Sequence, residues 1–417
     1  MKQIIIGMIL AASAAAAIAP PAGASSPDEQ FLDKLEYDSI MYFAGESNPA
    51  NGLVKDSSRP GAPCSVAAVG FALAAMCVGE SRGWIDRSDA YDRVFKILKT
   101  FRDNVPTERG FYYHFLDMRT GARAWNSELS SIDTALFLAG ALFAGEYFKG
   151  TEAEKIAGEL YERVEWPWML NGKKMLCMGW KPESGFLWYY WDTYSEAAIL
   201  YALAIGSPTH PIPQDSWLAW SRPVGSYKDF KLVHSYTGSI FTYQYSHAWI
   251  DFRGLYDGDI DYFINSREAS RANRAFCVDN AAKHKAYGEE SWGLTACIGP
   301  EGYKGYGAEP GEALHDGTIA PCGMAGSIVF DWQACLGGLK YLYEKHGSFL
   351  YGKYGFKDAF NLDRNWWAEE YLGIDVGITL LMIENYRTSL IWSKFMNLDF
   401  VKRWAGLCMR TQTDPRD

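Results

Sequence analysis

The chain is poor in the features that announce most enzyme classes. None of its 8 cysteines forms a Cys-x-x-Cys pair, so zinc or thioredoxin-type redox sites are not expected. Its 7 histidines show no His-Glu-x-x-His or similar spacing, and neither a catalytic metal nor a cofactor is expected. No Gly-x-Ser-x-Gly elbow, phosphate-binding loop or Gly-x-Gly-x-x-Gly fingerprint opens a helix after a strand, which leaves acyl transfer, ATP use and nicotinamide chemistry unsupported. Basic residues are outnumbered, 40 Lys and Arg against 50 Asp and Glu, for a net charge of −10. That balance disfavours nucleic acid and anionic surfaces as partners and suits a neutral ligand. Strand-like alternation is scarce, and past the first two dozen residues no apolar run is long enough to span a bilayer.

What is present begins with a leader. Met1-Lys2-Gln3 is followed by an apolar, Ala-rich run and then Ala22-Gly23-Ala24 before polar Ser25 and Ser26. This is the pattern of a secretory signal peptide cut near Ala24. No Cys lies near the exit, so the expected product is a periplasmic or secreted protein without a lipid anchor. No linker or low-complexity segment divides residues 25–417, which are read as one catalytic domain. Export permits disulfides, although most of the cysteines sit in apolar helix patterns where they act as small hydrophobes.

Five stretches, beginning at Cys64, Ser131, Tyr194, Met324 and Gly373, are rich in Ala, Gly and Leu and apolar all round. Helices of that kind belong in a buried layer. Between them run amphipathic helices, at about 27–43, 86–101, 151–164 and 264–284, with charged outer faces. The one from Thr151 opens with a Thr-x-x-Glu154 capping box. An inner apolar helix followed by an outer amphipathic one, repeated, predicts an all-α (α/α)6 barrel, a helical toroid with long rim loops carrying the site.

Three of the inner helices carry a carboxylate at their entrance, Asp133, Glu196 and Asp375, with Glu128 just upstream of the first. Burying charge there is costly unless compensated, and acids gathered around an apolar pit are what glycosidic hydrolysis requires. Asp133, in a first turn capped by Ser130 or Ser131, is equally explained as a helix-dipole partner. Glu128 has no such explanation. Glu196, capped by Thr193 or Ser195 and set among Trp188, Tyr189, Tyr190, Trp191 and Tyr194, should have a raised pKa, as suits a general acid.

Aromatics make up 15% of the chain and cluster in loop-like stretches, where they suit stacking on the apolar faces of sugar rings. Tyr245, His247, Trp249 and Arg253 fall within nine residues with Asp251, as hydroxyl binders or as a loop fixed by an Asp–Arg pair. Glu290 and Trp292, with Gly302-Tyr303 and the 316–321 stretch downstream, read as a constrained loop over a cleft.

The runs 130–142, 241–253, 261–270, 287–297, 316–321 and 371–387 together resemble the "glucoamylase-like" bacterial proteins of glycoside hydrolase family 144. The similarity covers about residues 30–405, departing at Asp375-Val376-Gly377-Ile378 and between Ile205 and Phe241. The resemblance implies an (α/α)6 barrel that cleaves β-1,2-glucan, internally or by releasing sophorose from an end, with the family's acids falling on Glu128, Glu196 and Asp375. The expectation is an inverting hydrolase. Glu196 would be the acid and Glu128 the base, with Asp375 a substitute base or a binder of sugar hydroxyls. Asp133, Tyr194, Trp188, Tyr245, His247, Trp249, Arg253, Glu290 and Trp292 are the expected substrate contacts. The rivals are the same fold acting on another neutral glycan, a polysaccharide lyase using His247 and Tyr245, and a glycan-binding protein without activity.

Overall fold

Four helices are buried along nearly their whole length: Val66–Ser81, Ser131–Tyr147, Ala198–Gly206 and Gly373–Thr388. Each has an amphipathic partner outside it. Arg87–Asp103 packs on the first, Glu152–Glu162 on the second, Asp399–Cys408 on the third and Pro27–Gly45 on the fourth. In Arg87–Asp103 only a stripe (Ala90, Val94, Ile97, Leu98 and Phe101 among it) is buried, the 3.6-residue period of a surface helix. The result is a helical barrel, described from residue 26 to residue 411 in a computed structural model. The expected signal peptide lies outside the described residues. Among them, no helix is long and apolar enough to cross a membrane.

Small residues let the inner layer close. Val66–Ser81 and Ser131–Tyr147 cross at Gly70 and Gly140, where a Cβ on either would lie 2.0–2.2 Å from a backbone oxygen of the other helix. An alanine at either position forces the two helices apart. The caps follow local chemistry, since Ser26, Ser65, Ser130 and Asp261 each accept an N–H in the first turn of their helix. Thr151 also caps its helix, but Glu154 reaches back to the Gly150 N–H at 2.6 Å rather than to that of Thr151.

Two expectations are corrected. The apolar run from Met324 is not one helix: Pro321–Ala325 ends in turns, and the chain resumes as Trp332–Leu350. The Gln244 amide and the Ser327 hydroxyl both donate to Gly323 O at 2.8 Å, drawing that carbonyl out of the helical ladder. The third inner helix starts at Ala198, two residues past Glu196, and neither Thr193 nor Ser195 caps it. Instead Ser246, fifty residues on, accepts the Ile199 N–H at 3.0 Å and donates to Glu196 O at 2.6 Å. All eight cysteines are free, seven of them buried.

The rim carries many strands of two to four residues, too short for alternation to register in the sequence. The largest sheet has five, ordered Thr107–Glu108, Phe111–Tyr113, Leu129–Ser130, Gly179–Lys181 and Gly185–Phe186, all antiparallel. Its middle strand runs straight into the Ser131 helix, so the sheet and the helix entrance share the site.

Candidate active site

A cleft of about 550 Å³ opens at this end of the barrel, lined among others by Asp56, Arg59, His114, Phe115, Trp125, Tyr303 and Ile374. Its aromatic wall is built by a tight turn. Trp125 and Asn126 both have positive φ (55° and 51°), and the Ser127 N–H donates to Ala124 O at 3.0 Å. Two left-handed residues at the centre of such a turn are the signature of type I′. Arg123 braces the turn by donating to Asn126 O and Ser127 O. Trp125 is thereby held 68% exposed against Phe115, ring centroids 4.9 Å apart, and Phe115 in turn stacks on His114 at 3.9 Å. Tyr303, 58% exposed, is carried in by the Ala296–Gly299/Gly302–Gly305 hairpin.

Below this wall the imidazole of His114 joins the acids. Its Nδ1 lies 3.0 Å from Glu128 Oε1 and its Nε2 3.6 Å from Asp133 Oδ1. Burial alone would lower the His114 pKa, but the carboxylates of Asp133, Glu128 and Asp56 outweigh it and lift the ring to about 9. His114 is therefore a cation at neutral pH. Its hydrogen bond holds the Glu128 carboxyl below the ordinary range, against a smaller desolvation effect. Asp133 lies in the first turn beside the Ser130 cap: Ser130 Oγ accepts its N–H and donates to its carboxylate, while Oδ1 faces His114.

Three carboxyls go the other way. Glu196 is raised to about 7, chiefly by burial and further by the negative charge of Asp133. Asp56 is raised to about 6 by burial and by Asp133 and Asp375, with His114 opposing. Asp375 is buried, with its Oδ1 3.4 Å from the Tyr245 hydroxyl that donates to it. Burial raises it too, against hydrogen bonds that favour its ionised form. Among the described residues no group of three or more His, Cys, Asp or Glu side chains is placed to hold a metal ion.

The other expected contacts divide. Tyr245 reaches Asp375, and Trp188 is 94% exposed on the loop that follows the edge strand of the five-stranded sheet. Tyr194 is buried, stacked on Tyr262 and packed on Tyr243. Trp249 is fully buried against Phe71 and Phe395, and Trp292 is 1% exposed. These three are core residues without a face to offer a sugar. His247 is buried among Phe252, Phe263 and Phe330, its Nε2 2.9 Å from Ser266 Oγ, and burial pushes it down to about 3. A neutral, enclosed imidazole cannot take a proton from a polymeric substrate, which removes the ground for the lyase reading. Arg253 pairs with Asp251 at 2.7–2.8 Å over Trp392, fixing a loop. Glu290 lies beside a separate hollow of about 130 Å³ with Tyr341 and His346.

Residues 188–399 match the family model described as putative glucoamylase. The chain belongs to this glucoamylase-like family. In keeping with that, its structure superposes on a putative glucoamylase from Bacteroides uniformis with a TM-score of 0.87 at 31% identity, covering 94% of this chain and 99% of that one. It also resembles the endo-β-1,2-glucanase of Chitinophaga pinensis, solved with sophorotriose and glucose, with a TM-score of 0.84, 28% identity and coverage of 93% and 99%. In sequence it is 29% identical to the exo β-1,2-glucooligosaccharide sophorohydrolase (non-reducing end) of Parabacteroides distasonis, over 89% of this chain. The chain spans 56% of the length of that relative. The glucoamylase-like resemblance read in the sequence is thus the family of the chain.

Proposed function

We propose that the protein is an exported inverting glycoside hydrolase that cleaves β-1,2-glucan, built as a single (α/α)6-barrel domain. The observation that carries the chemistry is the division of the acids linked through His114 and Asp133. Glu196 is held protonated up to about pH 7 while Glu128, on the cationic His114, is held ionised. Neighbouring carboxyls whose pKa values are pushed apart are the mark of an acid and a base. The substrate linkage follows from the two relatives named for β-1,2-glucans. The exposed Trp125, Tyr303 and Trp188 supply apolar platforms for glucose rings. The barrel reading is supported by the inner helices together with the inner segments Ile240–Tyr243 and Pro321–Ala325.

In this reading Glu196 protonates the leaving glycosidic oxygen while a carboxylate across the cleft activates water, at a separation of roughly 6.5–9.5 Å for inversion. Glu128 is the proposed base. Asp375 is the substitute base or the binder of hydroxyls in the cleaved subsite.

The test is chromatography of the products of linear β-1,2-glucan, with the anomer followed by NMR. A first-formed α-anomer establishes inversion; a disaccharide from the outset means exo action, and a spread of lengths means endo action. Cleavage of β-1,3-, β-1,4- or α-linked glucan in preference to β-1,2-glucan overturns the substrate, and binding without product overturns the hydrolase. Export is tested by the N-terminus of the mature protein, expected just past Ala24.

A further inference from the structure

Asp375 has a neighbour that neither the sequence motifs nor the cleft draws attention to. Asp358, in the segment before the Phe360–Asn361 strand, is 3% exposed and Asp375 6%, and both line one small cavity of about 20 Å³ beside the inner helix. Asp358 Oδ2 accepts the Ile298 N–H at 2.6 Å, and its own N–H donates to Glu370 O at 3.0 Å, so the side chain is fixed. Its other oxygen, Oδ1, is buried and meets no N–H or O–H donor; the same is true of Asp375 Oδ2. Two orphaned carboxylate oxygens in one low-dielectric pocket are costly if both groups are ionised. A single proton between them satisfies both, one acid donating to the other.

We propose that Asp358 is a positioning residue that keeps this proton, donating it from Oδ1 to Asp375 Oδ2, and so holds Asp375 ionised and fixed at the edge of the cleft. The inference rests on the proposed role of Asp375 in glycan cleavage. The direction of the pair agrees. Burial and the Asp375 charge raise Asp358 well above the carboxylate range, whereas Asp375 is raised by its own burial and the hydrogen bond from Asp358 works against that rise. The other groups facing the pair are the Asp56 carboxyl, the Cys322 and Cys297 thiols, the Tyr245, Tyr303 and Tyr354 hydroxyls, Glu370 and the neighbouring Lys357. Tyr245 and Cys322 also hydrogen-bond to Asp375. Asp375 thus collects donors from three separate segments, as a charge that must persist in a dry site requires.

Asp358→Asn and Asp358→Val separate this role from the alternatives. Asparagine accepts from Ile298 N–H and donates permanently to Asp375, so D358N is expected to keep at least a third of the wild-type kcat on β-1,2-glucan. Valine removes the donor: kcat is expected to fall at least tenfold with KM changed less than threefold, and the acid limb of the pH profile to move to higher pH. If D358N is as impaired as D358V, position 358 needs a negative charge and the proposal fails. A second readout is independent of activity. The folded protein keeps the Asp358 proton at pH values where the unfolded chain has lost it, so wild-type stability falls as pH rises above about 4. The melting temperature of D358N should therefore gain on that of the wild type steadily from pH 4.5 to 8. A difference that does not change with pH overturns the shared proton. If the protein cleaves no glucan, the functional reading fails while this comparison still decides the pair.

Discussion

Replacing Glu196 by Gln tests the acid through two quantities that the structure ties together. Its carboxyl is lifted from the ordinary 4.5 to about 7, mainly because burial penalises the charge and secondarily because Asp133 repels it. A carboxyl raised on folding binds its proton more tightly in the native state, so the sign of the linkage is destabilising. Below pH 4.5 both states are protonated and nothing is lost; between 4.5 and about 7 stability falls, and above that the loss is constant. The gap converts to about 3 kcal/mol. Glutamine has the same shape and never ionises. E196Q should therefore unfold at nearly the wild-type temperature at pH 4.5 and several degrees higher at pH 8, as followed by calorimetry or circular dichroism. The same substitution removes the proposed proton donor, and hydrolysis of β-1,2-glucan should fall by roughly 10²–10⁴. In the wild type, activity should decline on the alkaline side with an apparent pKa near 7. Turnover within a few-fold of wild type, or a stability gain that is the same at pH 4.5 and pH 8, would falsify the assignment of Glu196 as a desolvated general acid.

His114→Gln removes the cation on which Glu128 and Asp133 converge. A ring raised to about 9 stabilises the fold fully below its ordinary 6.5 and loses that contribution as pH climbs through 9. The variant should thus melt lower than wild type at pH 6, with the deficit closing by pH 9.5 in a thermal scan. Trp125→Ala and Trp188→Ala take away exposed platforms without touching the acids, so KM for long β-1,2-glucans should rise several-fold while kcat holds; a fall in kcat alone would place the tryptophan in the chemistry instead. Gly140→Ala puts a methyl group 2.0 Å from Gly70 O at the closest crossing of the inner layer. Soluble expression and melting temperature should drop sharply, by several kcal/mol-equivalents of overpacking, whereas Gly158→Ala, with open space around it, should be nearly neutral or stabilising.

The helical layers were legible because burial imposes itself on composition. A helix enclosed on all sides must be Ala-, Gly- and Leu-rich, and one with a wet face must alternate at 3.6 residues, so Ser131–Tyr147 and Arg87–Asp103 could be told apart in the string. What broke that reading was always a partner distant in sequence. The Met324 run loses its helix to the Gln244 amide, and the Ala198 helix takes its cap from Ser246. Tyr194, Trp249 and Trp292 looked like sugar platforms because aromatics in polar stretches give the same pattern whether they face a cleft or fill the space beneath a rim loop. Only packing distinguishes them.

The site shows the same division between near and far. Glu128, Asp133, Glu196 and Asp375 were readable because each stands where an apolar helix begins, an improbable place for charge. Asp56, His114 and Asp358 sit in loops and short strands with no periodicity to make them conspicuous, yet His114 and Asp358 bear on how the other acids ionise. One imidazolium against Glu128, Asp133 and Asp56 keeps the first ionised, while the charge left on Asp133 bears on Glu196 and helps keep it protonated. Asp133 is therefore the hinge of the arrangement. Neutralising it by Asp133→Asn should lower His114 and Glu196 together, moving the alkaline limb of activity to lower pH; a model in which each acid is tuned by burial alone moves neither.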